Sequence, residues 1–291
     1  ISSTTSSSST SSSTSSISSS NISTKRHLSH ILVYPIKSCA SIQPSQWPLC
    51  PQTHTLLYDR AFSIVDANRG NALRQKNMPR LCLIQPTIDL DKHQMTVNAP
   101  HMEPLIIDLK QSPSQRCDIR VCLQKTTAYQ YPLGHPISQW FSKFLQQSVV
   151  FVQSNVNSTA RCSFSNESQY LLISQESIDD LNTKLDKPVS FLRFRPNLVV
   201  SGCQQPFEED HWQRFSLAKG NVSFENKGRC ARCQMICVDQ KTAQKVSEPF
   251  LTLARYRSVK NRIYFGSHFN LTQHTKCDHV MICIGEIFIQ Y

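Results

Sequence analysis

Three thiols and two guanidiniums fall within the stretch Arg229-Cys230-Ala231-Arg232-Cys233-Gln234-Met235-Ile236-Cys237. A nearby positive charge stabilises a thiolate, and thiolate is the form that attacks electrophiles and binds soft metals. Cys230-x-x-Cys233 has the spacing of a zinc knuckle, but structural zinc takes four N or S ligands, usually from two paired knuckles. The chain has no second knuckle, and His211, His268, His274 and Cys277 are scattered. A thioredoxin-like redox pair needs a strand, the CxxC turn and then a helix; this pair reads as lying between strands. A packing role suits Cys237, between Ile236 and Val238, but suits Cys230 and Cys233 poorly, since each adjoins an arginine.

Basic residues make a second group. Lys37 follows the first expected strand, Arg60 falls inside the second, and Arg193 and Arg195 precede Pro196-Asn197. Arg60 and Arg195 interrupt the apolar runs Leu57-Tyr58 to Ala61-Phe62 and Phe191-Leu192 to Phe194. An unpaired charge in such a run is costly, and an anion or a planar hydrogen-bonding heterocycle would match the guanidinium fork. Together the two groups suggest a basic pocket with a thiolate at its mouth. With 7 glycines in 291 residues, glycine-rich phosphate loops are nearly excluded. No serine-hydrolase triad is evident. Glu208-Glu209-Asp210 reads as an acidic helix start rather than a pair of general acids.

The net charge of +11 points to an anionic partner, yet no dense Lys/Arg block or zinc-finger motif argues for nucleic acid. The 12 cysteines are spread irregularly, which favours free thiols in a reducing, cytoplasmic setting over a disulfide scaffold. Five glycosylation sequons, at Asn21, Asn157, Asn166, Asn221 and Asn270, are the counter-signal. No apolar run approaches the ~20 residues of a membrane span. Apart from Ile1, Ile17, Asn21 and Ile22, residues 1–24 are Ser or Thr, and such a segment cannot bury apolar surface. It reads as a disordered linker over 1–26, and the initial Ile reads as the mark of a fragment or processed product.

The elements that must position these groups are mostly short strands. Expected strands cover Leu28–Tyr34, Leu56–Asp66, Leu81–Pro86, Gln94–Val97, Leu105–Leu109 and Ile119–Leu123, punctuated by Pro, Asn and Asp. Ile137, Trp140, Phe141, Phe144 and Leu145 share one face of a helix over Pro136–Gln147. After a polar loop at 154–162, strands are expected at Tyr170–Ile173, Asn197–Ser201 and Asn221–Glu225, with closing strands over Val280–Tyr291. Ser174 caps a second helix, and Ser247-Glu248-Pro249 starts a third. The fold class is mainly β (α+β).

Several stretches resemble the MOSC family. They are Leu32-Val33-Tyr34-Pro35-Ile36-Lys37-Ser38-Cys39, Leu57-Tyr58-Asp59-Arg60, Pro79-Arg80-Leu81, Phe194-Arg195-Pro196-Asn197, Glu208 to Trp212, and Cys230-Ala231-Arg232-Cys233-Gln234-Met235-Ile236-Cys237-Val238-Asp239. The run after Cys233 is most similar to the branch formed by the C-terminal region of eukaryotic molybdenum cofactor sulfurases. The resemblance implies a MOSC N-terminal β-barrel domain over 27–153 and a β-barrel MOSC domain with a few helices over 154–291. It implies a site for the molybdenum cofactor (Mo-molybdopterin), with Cys233 meeting molybdenum and Lys37, Ser38, Arg60, Arg195 and Asn197 holding the pterin and its phosphate. Ser168, Ala231, Arg232 and His268 fall at further contact positions. The implied activity is sulfurtransfer, converting Mo=O to Mo=S. The sulfur would come from a cysteine desulfurase domain that carries pyridoxal phosphate and lies outside this chain, and molybdenum hydroxylase apo-enzymes would receive the product. An amidoxime-reducing oxidoreductase and a non-catalytic cofactor carrier are the alternatives. Neither nucleic acid nor membrane is an expected partner.

Overall fold

The computed structural model describes residues 1, 25–121, 124–154, 164–165, 167–218, 222–273 and 280–290. Most of the expected linker, the polar loop after Ser154, the sequons other than Asn270, His274 and Cys277 lie outside the described residues.

The first half contributes β1 (His27–Ile31), β2 (Gln46–Pro48), β3 (Phe62–Asp66), β4 (Gln85–Asp89), β5 (Gln94–Asn98), β6 (Leu105–Asp108), β7 (Gln115–Val121) and β8 (Gln124–Tyr131). Helix α1 (Pro136–Leu145) and β9 (Val149–Ser154) complete it. The second half begins with β10 (Tyr170–Ser174), α2 (Gln175–Asn182), β11 (Leu198–Ser201), β12 (Arg214–Leu217) and β13 (Val222–Ala231). It ends with α3 (Phe250–Tyr256), β14 (Ser258–Val259), β15 (Arg262–Gln273), β16 (Met281–Cys283) and β17 (Gly285–Gln290).

Eight strands form the main sheet, in the order β10-β11-β1-β17-β12-β13-β15-β14. An additional β10–β15 pairing bends this sheet into a nearly closed barrel. The first strand of the chain thus lies between two strands of the second half, antiparallel to both. Alternation along the strands sends Leu28, Tyr170, Phe215, Phe224 and Phe269 into one core. A second core lies outside the barrel, where Ile178, Leu181 and Leu253 of α2 and α3 cover Leu32, Phe194 and Phe265. The remaining strands make a four-stranded sheet, β3-β9-β8-β7, and a three-stranded one, β4-β5-β6. Between them Phe141 of α1 stacks on Phe151, which stacks on Phe62. No described helix is long and apolar enough to cross a membrane.

Local signals set the helix ends. The His135 side chain accepts the Ile137 N–H, Pro136 occupies the first turn, and Gln146 closes α1 in the left-handed region. Ser174 caps α2 by accepting the Ser177 N–H.

Two strand expectations need correction. The strand expected over Leu56–Asp66 starts only at Phe62. Before it the chain turns, with Tyr58 and Arg60 at φ of 64° and 51°. The turn is fixed from a distance, since the buried Asp59 carboxylate accepts the Tyr34 N–H at 2.8 Å. Arg60 therefore sits in a turn, not in a strand. Pro79–Leu83 forms a 3-10 turn and the strand begins at Gln85, because a proline at the turn's start favours a helical φ. Strands β8, β9, β12 and β15 were not expected from periodicity.

Closure of the barrel depends on Gly266 in β15. At its φ of 74°, a Cβ would lie 2.5 Å from Ile173 Cγ2 and 2.7 Å from the Leu172 carbonyl oxygen. Gly266→Ala is expected to destabilise the chain by on the order of 3 kcal/mol. Urea denaturation should show a lower midpoint at an unchanged slope, and an unchanged midpoint would contradict this close approach of β10 and β15.

Candidate functional site

All ten residues singled out from the sequence line one cavity of about 360 Å³. Lys37 and Ser38 come from a turn between β1 and β2, and Arg60 from the turn before β3. Ser168 precedes β10, while Arg195 and Asn197 lie just before β11. Ala231 ends β13, Arg232 and Cys233 follow it, and His268 stands on β15. Sequence reasoning missed Arg74, Glu167 and Phe164, which line the same space, and left Cys230 without a role. None of the three carries a local signal, being an isolated residue in a polar or irregular segment.

Backbone geometry aims the cations. Arg60 and Arg195 both hold left-handed φ, 51° and 56°. The Arg60 N–H is anchored on the Tyr34 carbonyl at 2.7 Å and the Arg195 N–H on the Leu192 carbonyl at 3.2 Å. Their guanidiniums lie 4.5 and 4.2 Å from the centre of the same Tyr34 ring. Arg60 also pairs with Asp59, and Arg195 Nη1 donates to the Cys39 carbonyl at 2.6 Å. Burial pulls the Arg195 pKa below its ordinary value, with Arg60 adding to the effect, but an arginine keeps its proton at neutral pH. Lys37 is also buried and donates from Nζ to the Phe164 carbonyl at 2.9 Å. Ser38 sits at φ 68°, and its carbonyl accepts from Gln75 Nε2 at 2.7 Å.

Asn197 is committed to the backbone. Its Oδ1 accepts the Leu171 N–H at 3.3 Å and its Nδ2 donates to the Leu32 carbonyl at 3.2 Å. It therefore braces the strands behind the cavity.

The two thiols differ sharply. Cys233 is exposed at the start of the Gln234–Cys237 turn, whereas Cys230 is buried in the wall. Arg232 joins them to the arginine group: Nη1 donates to Cys230 Sγ at 3.0 Å and Nη2 to the Phe194 carbonyl at 2.6 Å. Burial alone would push the Cys230 thiol up. The Arg232 charge and a hydrogen bond with His268 outweigh it and bring this thiol below its ordinary range. His268 moves the opposite way: burial would lower it, but Cys230 and Glu167 raise it. Its Nδ1 lies 2.7 Å from Ser168 Oγ, and its Nε2 faces the exposed Glu167 carboxylate at 2.8 Å, placed for an ion pair when the ring is charged. Cys237, by contrast, is buried beside Ile236 and donates to the Ser247 carbonyl.

Electrostatics select a ligand class. Lys37, Arg60, Arg195 and Arg232 share the cavity with the Asp59 carboxylate behind them and Glu167 at the rim. The buried Nε of Arg232 has no hydrogen-bond partner. The arrangement has a surplus of positive charge and an unused donor, which suits a phosphate-bearing ligand. A second cavity, of about 420 Å³, is lined by Arg69, Arg74 and Arg120, but its lining includes no cysteine or histidine, and its Asp66 is already taken by Asn68, Arg69 and Gln147.

The family model for the MOSC N-terminal beta barrel domain matches residues 25–148, and that for the MOSC domain matches residues 159–286. The chain belongs to the MOSC family. Among curated relatives, the molybdenum cofactor sulfurases of Bos taurus, Homo sapiens and Danio rerio are 37%, 36% and 34% identical to it. The alignments cover 86%, 83% and 89% of this chain but 31%, 29% and 34% of those proteins. This MOSC chain thus spans about a third of the length of the curated relatives it matches.

Two outcomes follow from the geometry. Asp59→Ala leaves Arg60 and the Tyr34 N–H without their carboxylate, and is expected to cost on the order of 3 kcal/mol in chemical denaturation. An unaffected denaturation curve would mean that this carboxylate does not hold the turn. Alkylation of Cys230 should level off at lower pH than for an ordinary thiol, since the thiolate forms as pH rises through a depressed pKa. Arg232→Gln should shift that profile upward; a profile unchanged by this substitution would rule out the guanidinium as its cause.

Proposed function

We propose that this MOSC region binds the molybdenum cofactor as its substrate and holds it while an oxo ligand is exchanged for sulfur. The carrying observation is the convergence of one exposed thiol, Cys233, with Lys37, Arg60, Arg195 and Arg232 around a single cavity. A soft thiolate suits molybdenum, and cationic forks suit the phosphate of a pterin. In this reading Cys233 anchors the metal. Arg60, Arg195 and Lys37 neutralise the phosphate, and Arg232 offers it the free Nε. Ser38, Ser168, Ala231 and His268 line the pterin, while Asn197 keeps the wall in register. The sulfurase names of the relatives support sulfuration as the chemistry. Sulfur would arrive from a cysteine desulfurase domain carrying pyridoxal phosphate, and the finished cofactor would pass to apo molybdenum hydroxylases.

Molybdenum content of the purified chain tests this. Wild-type protein is expected to hold metal in proportion to protein, and Cys233→Ala to lose it. Arg195→Leu should lower retention of the pterin together with the metal. Equal molybdenum in wild type and Cys233→Ala, or zinc in its place, would sink the assignment.

A further inference from the structure

We propose that the second cavity, on the first half of the chain, is a binding site for a small phosphate monoester, separate from the site of the reactive thiols.

The cavity measures about 420 Å³, within the ~300–1,000 Å³ of small-molecule pockets. Its charged lining consists of Arg69, Arg74, Arg120 and Asp66. The Asp66 carboxylate is buried and committed to its own turn. Oδ1 accepts the Asn68 and Arg69 N–H groups at 2.9 and 2.8 Å, and Oδ2 accepts from Gln147 Nε2 at 2.7 Å. Among the described residues no acidic side chain pairs with Arg69 or Arg120. Three guanidiniums against one carboxylate leave a surplus of two positive charges. A phosphate ester carries about −1.5 to −2 near neutral pH.

The backbone holds these cations in register. The Arg120 N–H donates to the Gly70 carbonyl at 2.8 Å, and the Arg120 carbonyl accepts the Ala72 N–H at 2.9 Å. Strand β7 is thereby tied to the turn after β3 that carries Arg69. Ile119 and Val121 pack into the core, which puts Arg120 on the opposite face of β7. Lys125 of β8 stands directly across from Arg120 and shares that face. Like charges directly opposite on paired strands are destabilising, and a bound anion relieves that repulsion. A single exposed arginine is a solvated charge; here three converge on one concavity. Guanidinium forks match phosphate oxygens, and the Asn71 and Asn77 amides in the same wall suit the hydroxyl groups of a small ester. The lining has no cysteine, histidine or hydroxyl side chain, so the site binds its ligand and offers it no nucleophile. Arg74 lines both cavities, which places the two anion sites side by side.

Isothermal titration calorimetry of the whole chain tests this, with ribose 5-phosphate as probe and ribose as its uncharged control. Ribose 5-phosphate is expected to bind with a Kd below about 1 mM, and ribose to give no binding heat. Arg69→Ala and Arg120→Ala should each weaken binding roughly tenfold, the loss of one charge-assisted hydrogen bond. Both side chains are exposed, so both variants should keep the wild-type urea midpoint. Arg195→Leu, in the other cavity, should leave the affinity within about twofold, since its guanidinium does not line this site. Equal heats for ribose 5-phosphate and ribose, or affinity unchanged in both Arg69→Ala and Arg120→Ala, would overturn the proposal. So would binding lost in Arg195→Leu alone, which would move the phosphate to the first cavity. The molybdenum content of the same preparations reports on the cofactor reading separately, because this site does not depend on it.

Discussion

Two guanidiniums share the ring of one buried tyrosine, and most of the site's construction follows from that contact. Tyr34 takes Arg60 and Arg195 against its ring, while Asp59 pairs with Arg60 and also holds the Tyr34 backbone. A cation–π contact contributes about 0.5–2 kcal/mol, and desolvating a charge costs several. One ring and one carboxylate do not offset that cost for a pair of arginines, still less with Lys37 and Arg232 close by. The remaining positive charge is a standing preference for an anion. The left-handed backbone at both arginines is the local strain that accompanies this preorganisation.

Neither half of the chain makes the cavity alone. The first half supplies Lys37, Ser38 and Arg60; the second supplies Arg195 and the Cys230–Cys233 segment. The joint beside them is polar. Gln75 and Gln240 exchange reciprocal amide hydrogen bonds at 3.1 and 3.2 Å, and Gln75 also braces the Ser38 carbonyl. The Cys82 thiol donates to the Asp239 carbonyl, and the Asp239 carboxylate pairs with Arg193. The turn that follows the reactive cysteines is thereby fastened to the loop that presents Ser38.

The cysteine–arginine stretch was legible in the sequence because charge beside thiol is a local signal. Arg60 and Arg195 were legible because a charge inside an apolar run needs a partner. The helices at Pro136 and Ser174 were legible from periodicity and caps. What failed was set by distant contacts. Asp59 turns the chain before Phe62 through an acceptor for Tyr34, 25 residues away. Strand β15 carries register shifts against β13 and a positive-φ glycine, so its alternation is blurred. Ser168 and His268 were placed only by family resemblance, since a single serine or histidine has no spacing to read.

Strand β1 has a temporal consequence. His27–Ile31 is made before both of its partners, β11 and then β17, which ends at Gln290. During synthesis at ~5–20 residues per second, this segment waits until β17 has been made before it is flanked on both sides. Until then its apolar face and unpaired edge are open to strangers. The polypeptide therefore cannot be cut between its halves without leaving a slot in the barrel.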